Sequence, residues 1–175
     1  MAKARSFAAR YAAFKRPRDG VEANAPTIFC FIVAKIFSCV TSLWRRVHSI
    51  RVIQSSFVKM EGLDIHNRVN HNNDGFHFIN CEYVHISNCD VICQDDACAL
   101  FGSCRFVTLS NCTFSTRWSV FPYGGGVAEN ITVSDCLTTQ TFGSPIKMCC
   151  GPGSRFENMI FSNLVMNNVT GPIRN

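Results

Sequence analysis

The hydrophobic and polar positions of this chain repeat from residue 58 onward. Five segments align, with offsets of 26, 23, 24 and 28 residues: "VKMEGLDI" from Val58, "VHISNCDV" from Val84, "VTLSNCTF" from Val107, "ITVSDCLT" from Ile131 and "MIFSNLVM" from Met159. Within each segment apolar and polar residues alternate, and Asn, Ser or Gly follow, as in short strands separated by turns. Self-similarity at this period predicts a solenoid.

The repeating unit favours a parallel β-helix over a helical or leucine-rich solenoid. No unit has room for a 3.6-residue helical pattern, and the fixed leucines of leucine-rich repeats are missing. We therefore predict an all-β fold, a right-handed parallel β-helix with coils of about 23–28 residues. Equal positions on successive coils should stack. Cys89, Cys112 and Cys136 should then form a buried column, and the neighbouring Asn and Asp positions should form a turn ladder.

Residues 1–57 differ from residues 58–175, and we predict a domain boundary between them. The first segment carries ten Lys/Arg and two acidic residues, and the second carries seven and ten. The apolar stretch 27–44 is interrupted by Lys35, which makes it marginal as a membrane span or export signal. The alternative is a disrupted start to a longer domain. Since no basic stripe alternates with aromatic residues, nucleic-acid binding is not expected.

Three aspartates are placed where a β-helix would bring them together. Asp74 lies 10 residues before Val84, and Asp96 lies 11 residues before Val107, with Asp95 next to it. On stacked coils these carboxylates should meet on one face, where crowding raises the pKa of at least one of them. Mixed protonation is what glycosidic-bond hydrolysis requires. A calcium site and solvated turn acids remain the alternatives at this stage.

Residues 58–173 resemble glycoside hydrolase family 28, the polygalacturonase family. The resemblance rests on "NNDG" at 72–75, on "QDDA" one coil later at 94–97, and on "SPIKM" at 144–148, which contains a lysine matching that of the family's Arg-x-Lys motif. It implies inverting hydrolysis of a pectic, α-linked galacturonate-containing chain, without a cofactor or metal. The chain would be partial or divergent.

The resemblance also implies roles for individual residues. Asp95 would be the general acid, while Asp74 and Asp96 would be the bases that activate water. Lys147 would bind acidic groups of the substrate, and Asn72 would help to position the first aspartate and the sugar. His77 follows Asp74 by three residues and is a further candidate for the cleft wall.

The sequence departs from the family at two places. The expected Gly-His-Gly is replaced by "STRWSVFPYGGG", with Arg117 and Trp118 near the place of the histidine, and Pro145 replaces the arginine of Arg-x-Lys. Arg117 would supply charge in the cleft. Trp118 either stacks on a sugar ring or packs in the core.

Two other functions remain open on this architecture. One is a non-catalytic or inactive carbohydrate-binding β-helix, and the other is a calcium-dependent lyase of the pectate type, which would need a basic residue to abstract a proton. For all three we expect a polysaccharide partner and a secreted, extracellular or cell-surface monomer. Membrane contact is expected only if the 27–44 stretch is an anchor.

Overall fold

The computed structural model describes residues 30–32, 37–39, 43–44, 48–68, 71–149 and 151–174, and these form strands and turns without a helix. The strands in chain order are β1 Cys30–Ile32, β2 Phe37–Cys39, β3 Leu43–Trp44, β4 His48–Ile53, β5 Ser56–Glu61, β6 Asp64–Asn67, β7 Asp74–Ile79, β8 Glu82–Ser87, β9 Asp90–Cys93, β10 Cys98–Phe101, β11 Cys104–Ser110, β12 Thr113–Ser115, β13 Phe121–Gly124, β14 Val127–Ser134, β15 Leu137–Thr141, β16 Ile146–Cys149, β17 Arg155–Ser162, β18 Val165–Val169 and β19 Ile173–Arg174.

Every third strand belongs to the same parallel sheet. Sheet A has the order β1-β4-β7-β10-β13-β16-β19, sheet B the order β17-β14-β11-β8-β5-β2, and sheet C the order β18-β15-β12-β9-β6-β3. Three parallel sheets wound in this way form a right-handed parallel β-helix, so the predicted fold class is confirmed.

The coils stack in the register that the repeat predicts. The five aligned starting positions face one another along sheet B: Val58 pairs with Val84, Val84 with Val107, Val107 with Ile131 and Ile131 with Met159. Their side chains point inward, and the first four are fully buried. The core between the sheets also holds large aromatic side chains, among them Phe76, Phe78, Phe114, Phe121 and Tyr123.

The predicted cysteine column and the turn ladder are both present. Cys89, Cys112 and Cys136 are buried thiols on successive coils, and the Cys89 backbone N–H donates to the Cys112 sulfur over 3.4 Å. In the ladder beside them, Asn88, Asn111, Asp135 and Asn163 all adopt φ between 48° and 56°. The Asn111 amide donates to Asn88 Oδ1 over 2.7 Å, and the Asn163 amide donates to Asp135 Oδ1 over 2.6 Å. Asn and Asp suit this left-handed turn because their side chains tolerate the conformation.

Strands also occur upstream of residue 58. β1, β2 and β3 lie within the apolar stretch 27–44 and pair with β4, β5 and β6 of the next coil. Residues 1–29, including the start of the predicted signal, lie outside the described residues. Within the described part of the chain, no helix is long and apolar enough to cross a membrane.

Candidate active site

The three aspartates meet at the edge of sheet A. Asp74 is the first residue of β7, and Asp95 and Asp96 lie in the turn before β10. Because β7 and β10 are neighbours in the sheet, the two segments lie side by side, as the coil spacing predicts.

Backbone hydrogen bonds hold the two acidic segments together. The N–H groups of Gln94 and Asp95 both donate to the Asn73 carbonyl, over 3.1 and 3.0 Å. The Gly75 N–H donates to the Asp96 carbonyl over 2.9 Å. These bonds fix the position of Asp95 and Asp96 relative to Asp74.

Gly75 permits this close approach. A Cβ atom at this position would lie 2.4 Å from the Ala97 carbonyl oxygen and 2.5 Å from Val91 Cγ1. Real Cβ atoms essentially never come closer than 3.0 Å to another heavy atom. The glycine of "NNDG" therefore has a packing role next to the first aspartate.

Two buried asparagines support the loop that carries Asp74. The Asn73 amide donates to Asn67 Oδ1 over 2.7 Å, and the Asn67 amide approaches the Asp74 carbonyl at 3.5 Å. The first asparagine of the motif, Asn72, is exposed and lines the cleft beside Asp95. That Asn72 helps to position Asp74 and the sugar stays a prediction, and the hydrogen bonds that support the loop come from Asn67 and Asn73.

Two side chains support the backbone of Asp95, one from its own coil and one from the following coil. The Thr116 hydroxyl and the Cys93 thiol both donate to the Asp95 carbonyl, the thiol over 3.1 Å. The Trp118 backbone N–H donates to the Thr116 hydroxyl over 3.1 Å. Asp95 and Trp118 are therefore positioned by the same threonine.

Burial and neighbouring charges perturb Asp96. Burial first, then the carboxylates of Asp95 and Asp74, raise the pKa of Asp96 from 3.8 to about 7, while Lys147 and a Ser119 backbone hydrogen bond act in the opposite direction. The Asp96 Oδ1 atom is buried and has no hydrogen-bond partner among the described residues. The three carboxylates are thus electrically coupled, and Asp96 holds a proton up to near-neutral pH.

Two clefts meet at Trp118. One, of about 300 Å³, is lined by His71, Asn72, Gln94, Asp95, Arg117 and Trp118. The other, of about 370 Å³, contains Trp118, Lys147 and Arg174 together with the exposed apolar side chains Phe142 and Ile173. The predicted residues Asn72, Arg117, Trp118 and Lys147 all lie in this continuous surface.

Trp118 is 54% exposed, so the core-packing alternative for this residue is wrong. The Lys147 ammonium lies 5.5 Å from the centre of the Trp118 ring, a cation–π arrangement. Lys147 pairs in register with Arg174 on the next strand. The second cleft therefore combines an aromatic surface with two cations.

His77 contacts the first aspartate directly. Its Nδ1 atom lies 2.5 Å from Asp74 Oδ2, and the side chains are 13% and 7% exposed, respectively. That His77 lines the cleft as a substrate contact stays a prediction. The hydrogen bond links its ring to the carboxylate of Asp74.

Arg68 forms hydrogen bonds close to the acidic turn, at Cys93, and the sequence analysis did not identify it. Its Nε donates to the Cys93 carbonyl and its Nη2 to the Ser115 hydroxyl, each over 3.1 Å. Burial, with a smaller effect of Arg117, lowers the pKa of Arg68. No motif marks this residue, because its contacts come from two later coils.

In the described part of the chain, no cluster of three or more His, Cys, Asp or Glu side chains is arranged to hold a metal ion. Comparisons with curated proteins and with solved structures found no match. The sequence profile of glycosyl hydrolases family 28 matches residues 24–174. This match covers most of the chain and agrees with the β-helix and the two aspartate motifs, so the chain belongs to glycosyl hydrolase family 28.

Proposed function

We propose that this protein hydrolyses α-linked galacturonate-containing chains of the pectic type with inversion of configuration. Asp95 is the general acid that protonates the leaving oxygen, and the base that activates water on the opposite face is one of the two carboxylates Asp74 and Asp96. Family membership supports a glycoside hydrolase of the polygalacturonase family.

The observation that carries the proposal is the coupled set of three carboxylates. Asp95 and Asp74 are among the causes of the raised pKa of Asp96, so the carboxylates are close enough to influence one another's protonation. Hydrolysis requires at least one protonated and one ionised carboxyl group at the same time. Burial and the neighbouring carboxylates raise the pKa of Asp96 to about 7, which supports such a mixture of protonated and ionised groups.

The charges and rings around the carboxylates support an acidic sugar chain as substrate. Lys147, Arg174 and Arg117 line the two clefts, and each would attract a uronate carboxylate. The Trp118 ring is exposed between the clefts and presents a flat apolar surface, against which the C–H face of a sugar ring can pack.

The family's missing cations are partly compensated by other residues. Pro145, in place of the arginine, is buried, and its carbonyl accepts a 2.7 Å hydrogen bond from the Phe121 N–H. Arg117 is exposed in the cleft that contains Asp95, near the position of the missing histidine. We infer that substrate charge is met by Arg117, Lys147 and Arg174.

A non-catalytic carbohydrate-binding role is the second candidate. It is favoured by the replaced Gly-His-Gly motif together with an exposed aromatic cleft, which binding alone would use. The two candidates differ in whether new reducing ends appear.

The test compares the wild type with Asp95→Asn on polygalacturonate, rhamnogalacturonan and oligogalacturonides. Asp90→Asn is the matched control, because Asp90 is an exposed aspartate at the start of β9 in sheet C. We expect reducing-end release by the wild type and Asp90→Asn, and a loss of at least about a hundredfold in Asp95→Asn.

Other outcomes would change the role of Asp95 or the proposed function. Retained turnover in Asp95→Asn would overturn the role of Asp95 as the acid. Binding of oligogalacturonide by the wild type without cleavage would favour the binding role. Unsaturated products that a chelator abolishes would point to a lyase. We also propose that the protein acts outside the cell, where such polymers occur, and recovery of a tagged full-length chain in the culture medium tests this.

A further inference from the structure

The close contact between His77 and Asp74 bears on which carboxylate activates water. This inference rests on the proposed hydrolytic function. His77 follows Asp74 by three residues on β7, and its Nδ1 lies 2.5 Å from Oδ2, a hydrogen-bond distance at which an imidazole N–H can donate to a carboxylate oxygen. Both side chains are nearly buried, so solvent screens the pair only weakly.

The surroundings hold the imidazole in place. The Phe101 ring packs against His77 with 5.4 Å between ring centres. On the preceding strand, Arg51 pairs in register with His77, and His48 with Asp74. On the following strand, Ala99 pairs in register with His77. The ring is thus fixed by an aromatic neighbour on one side and lies in a row with a cation on the other.

The charged groups near the pair have opposing effects. After burial, the carboxylates of Asp95 and Asp74 raise the pKa of Asp96, which Lys147 lowers. Burial, and to a smaller extent Asp74 and Asp96, raise the pKa of the Cys93 thiol. On the other side of the pair, the cation Arg51 lies on the neighbouring strand, in register with His77. The carboxylates are the closer set, because one of them forms the hydrogen bond to His77.

Asp74 and Asp96 differ in what stabilises a negative charge on them. Asp74 has an imidazole donor on Oδ2. Asp96 has a buried Oδ1 without a hydrogen-bond partner in the described residues. Ionising a carboxyl group whose buried oxygen has no hydrogen-bond donor costs free energy, whereas a hydrogen bond from a histidine stabilises the ionised form. Charge therefore belongs on Asp74 and the proton on Asp96.

We propose that His77 is a positioning residue that orients Asp74 and keeps it ionised, so that Asp74 is the base of hydrolysis while Asp96 carries a proton. In the reaction a water proton passes to Asp74 as the water oxygen bonds to the anomeric carbon. The glycosidic C–O bond breaks, and its oxygen takes the proton of Asp95. Solvent then removes the proton from Asp74 and returns one to Asp95.

Two substitutions separate the effect of the hydrogen bond from that of the charge. In His77→Asn the side-chain amide can donate near the position of Nδ1 but cannot become cationic, and His77→Leu removes both properties. The control is His85→Asn, since His85 is an exposed histidine on sheet B. All variants are first shown to be folded by their unfolding transitions.

We expect kcat of His77→Leu to fall about tenfold to a hundredfold, with KM changed by less than about threefold, because the base is misplaced while the substrate contacts remain. His77→Asn should recover most of kcat at the pH optimum. In both variants the acidic side of the pH–rate profile should move to higher pH by about half a unit or more, because the imidazole that stabilises the ionised form of Asp74 is lost. His85→Asn should match the wild type in all three respects.

An NMR measurement tests the contact without any activity. Long-range nitrogen correlation spectra distinguish a ring protonated at Nδ1 from one protonated only at Nε2. We expect Nδ1 of His77 to carry a proton in the wild type. In Asp74→Asn, where the carboxylate acceptor is lost, we expect the neutral His77 ring to be protonated at Nε2 instead. An unchanged spectrum in Asp74→Asn would overturn the proposal.

The kinetic results distinguish a failure of the His77 role from a failure of the proposed function. If the wild type hydrolyses the substrate and His77→Leu has the same kcat and pH profile, this inference fails while the hydrolase remains. If the two His77 variants lose activity equally with an unshifted profile, the role of His77 is packing. If the wild type cleaves no glycan, the proposed function itself fails.

Discussion

Substitution of Gly75 by alanine tests how closely the two acidic segments must approach. The added Cβ would lie 2.4 Å from the Ala97 carbonyl oxygen, which is 0.6 Å inside the 3.0 Å limit that real Cβ atoms respect. Since the Ala97 oxygen belongs to the backbone, the β7 segment and the Asp96–Ala97 peptide must move apart by about that amount.

Two effects follow from this separation. Overpacking of a tight site costs about 1–3 kcal/mol, and the reduced entropy of the unfolded chain returns about 0.4–1 kcal/mol. We therefore expect a net loss of about 1–2 kcal/mol in the free energy of unfolding. Because a misplacement of about 1 Å in a catalytic group can cost a hundredfold in rate, a shift of 0.6 Å between Asp74 and Asp96 should lower kcat by roughly tenfold or more.

Urea unfolding and initial rates on oligogalacturonide measure the two effects. The matched control is Gly151→Ala, because a Cβ at Gly151 meets only Ser154 Oγ, at 3.9 Å. The control should keep wild-type activity and be equally or slightly more stable. Wild-type stability and activity in Gly75→Ala would refute the argument that this glycine sets the spacing of the carboxylates.

Three further predictions concern the charged and aromatic side chains. Because the folded state raises the pKa of Asp96 from 3.8 to about 7, its contribution to stability is fully present below about pH 4 and is lost as the pH rises through 7. As the pH rises between those limits, the free energy of unfolding of Asp96→Asn, measured with urea, should increase relative to that of the wild type by on the order of 2–4 kcal/mol. Parallel pH–stability curves of the two proteins would contradict this. Trp118→Ala should raise KM by about tenfold without lowering the free energy of unfolding by more than about 0.5 kcal/mol, since the ring is exposed, and Trp118→Phe should be intermediate; unfolding of Trp118→Ala at markedly lower urea would show a structural role instead. Lys147→Ala should weaken oligogalacturonide binding and reduce its dependence on salt, whereas Lys147→Arg should retain both, as calorimetry at two ionic strengths would show; unchanged binding in Lys147→Ala would remove Lys147 from the substrate site.

The repeat in the sequence was sufficient to predict the architecture. The same inward position recurs at Val84, Val107 and Ile131, and only stacked coils allow each to be buried by the next. The left-handed turns leave a second signal, because Asn or Asp recurs where the backbone needs positive φ. The register of the repeat and the turn residues therefore predicted the β-helix, and they also predicted that the aspartates lie at one edge of a sheet.

The strands of sheet A upstream of residue 58 carry no such signature. In β4, "HSIRVI", the buried residues Ile50 and Val52 alternate with other residues, but no Ser-Asn-Cys turn follows. Six residues of alternation do not distinguish a coil of the solenoid from any other strand. The repeat starts to be recognisable only where the turn ladder begins.

Contacts between side chains on different coils could not be predicted from the sequence either. Arg68 reaches Cys93 and Ser115, 25 and 47 residues away, and its direction depends on how three coils stack. The spacing of His77 and Asp74 placed both near the cleft, but whether the ring faced a carboxylate or a sugar depended on side-chain rotamers. Fold and neighbourhood follow from periodicity, whereas individual partners require the packed structure.

The central claim is that three aspartates of this chain perform inverting hydrolysis of a galacturonate chain. Proton NMR of the first-formed product from an α-linked oligogalacturonide tests it most directly, because it reports bond cleavage and anomeric configuration in one spectrum. The account predicts that β-configured reducing ends appear first and then equilibrate, and that none appear with Asp95→Asn. α-Configured reducing ends at the earliest times, unsaturated ends, or an unchanged spectrum from the folded wild-type protein would contradict it.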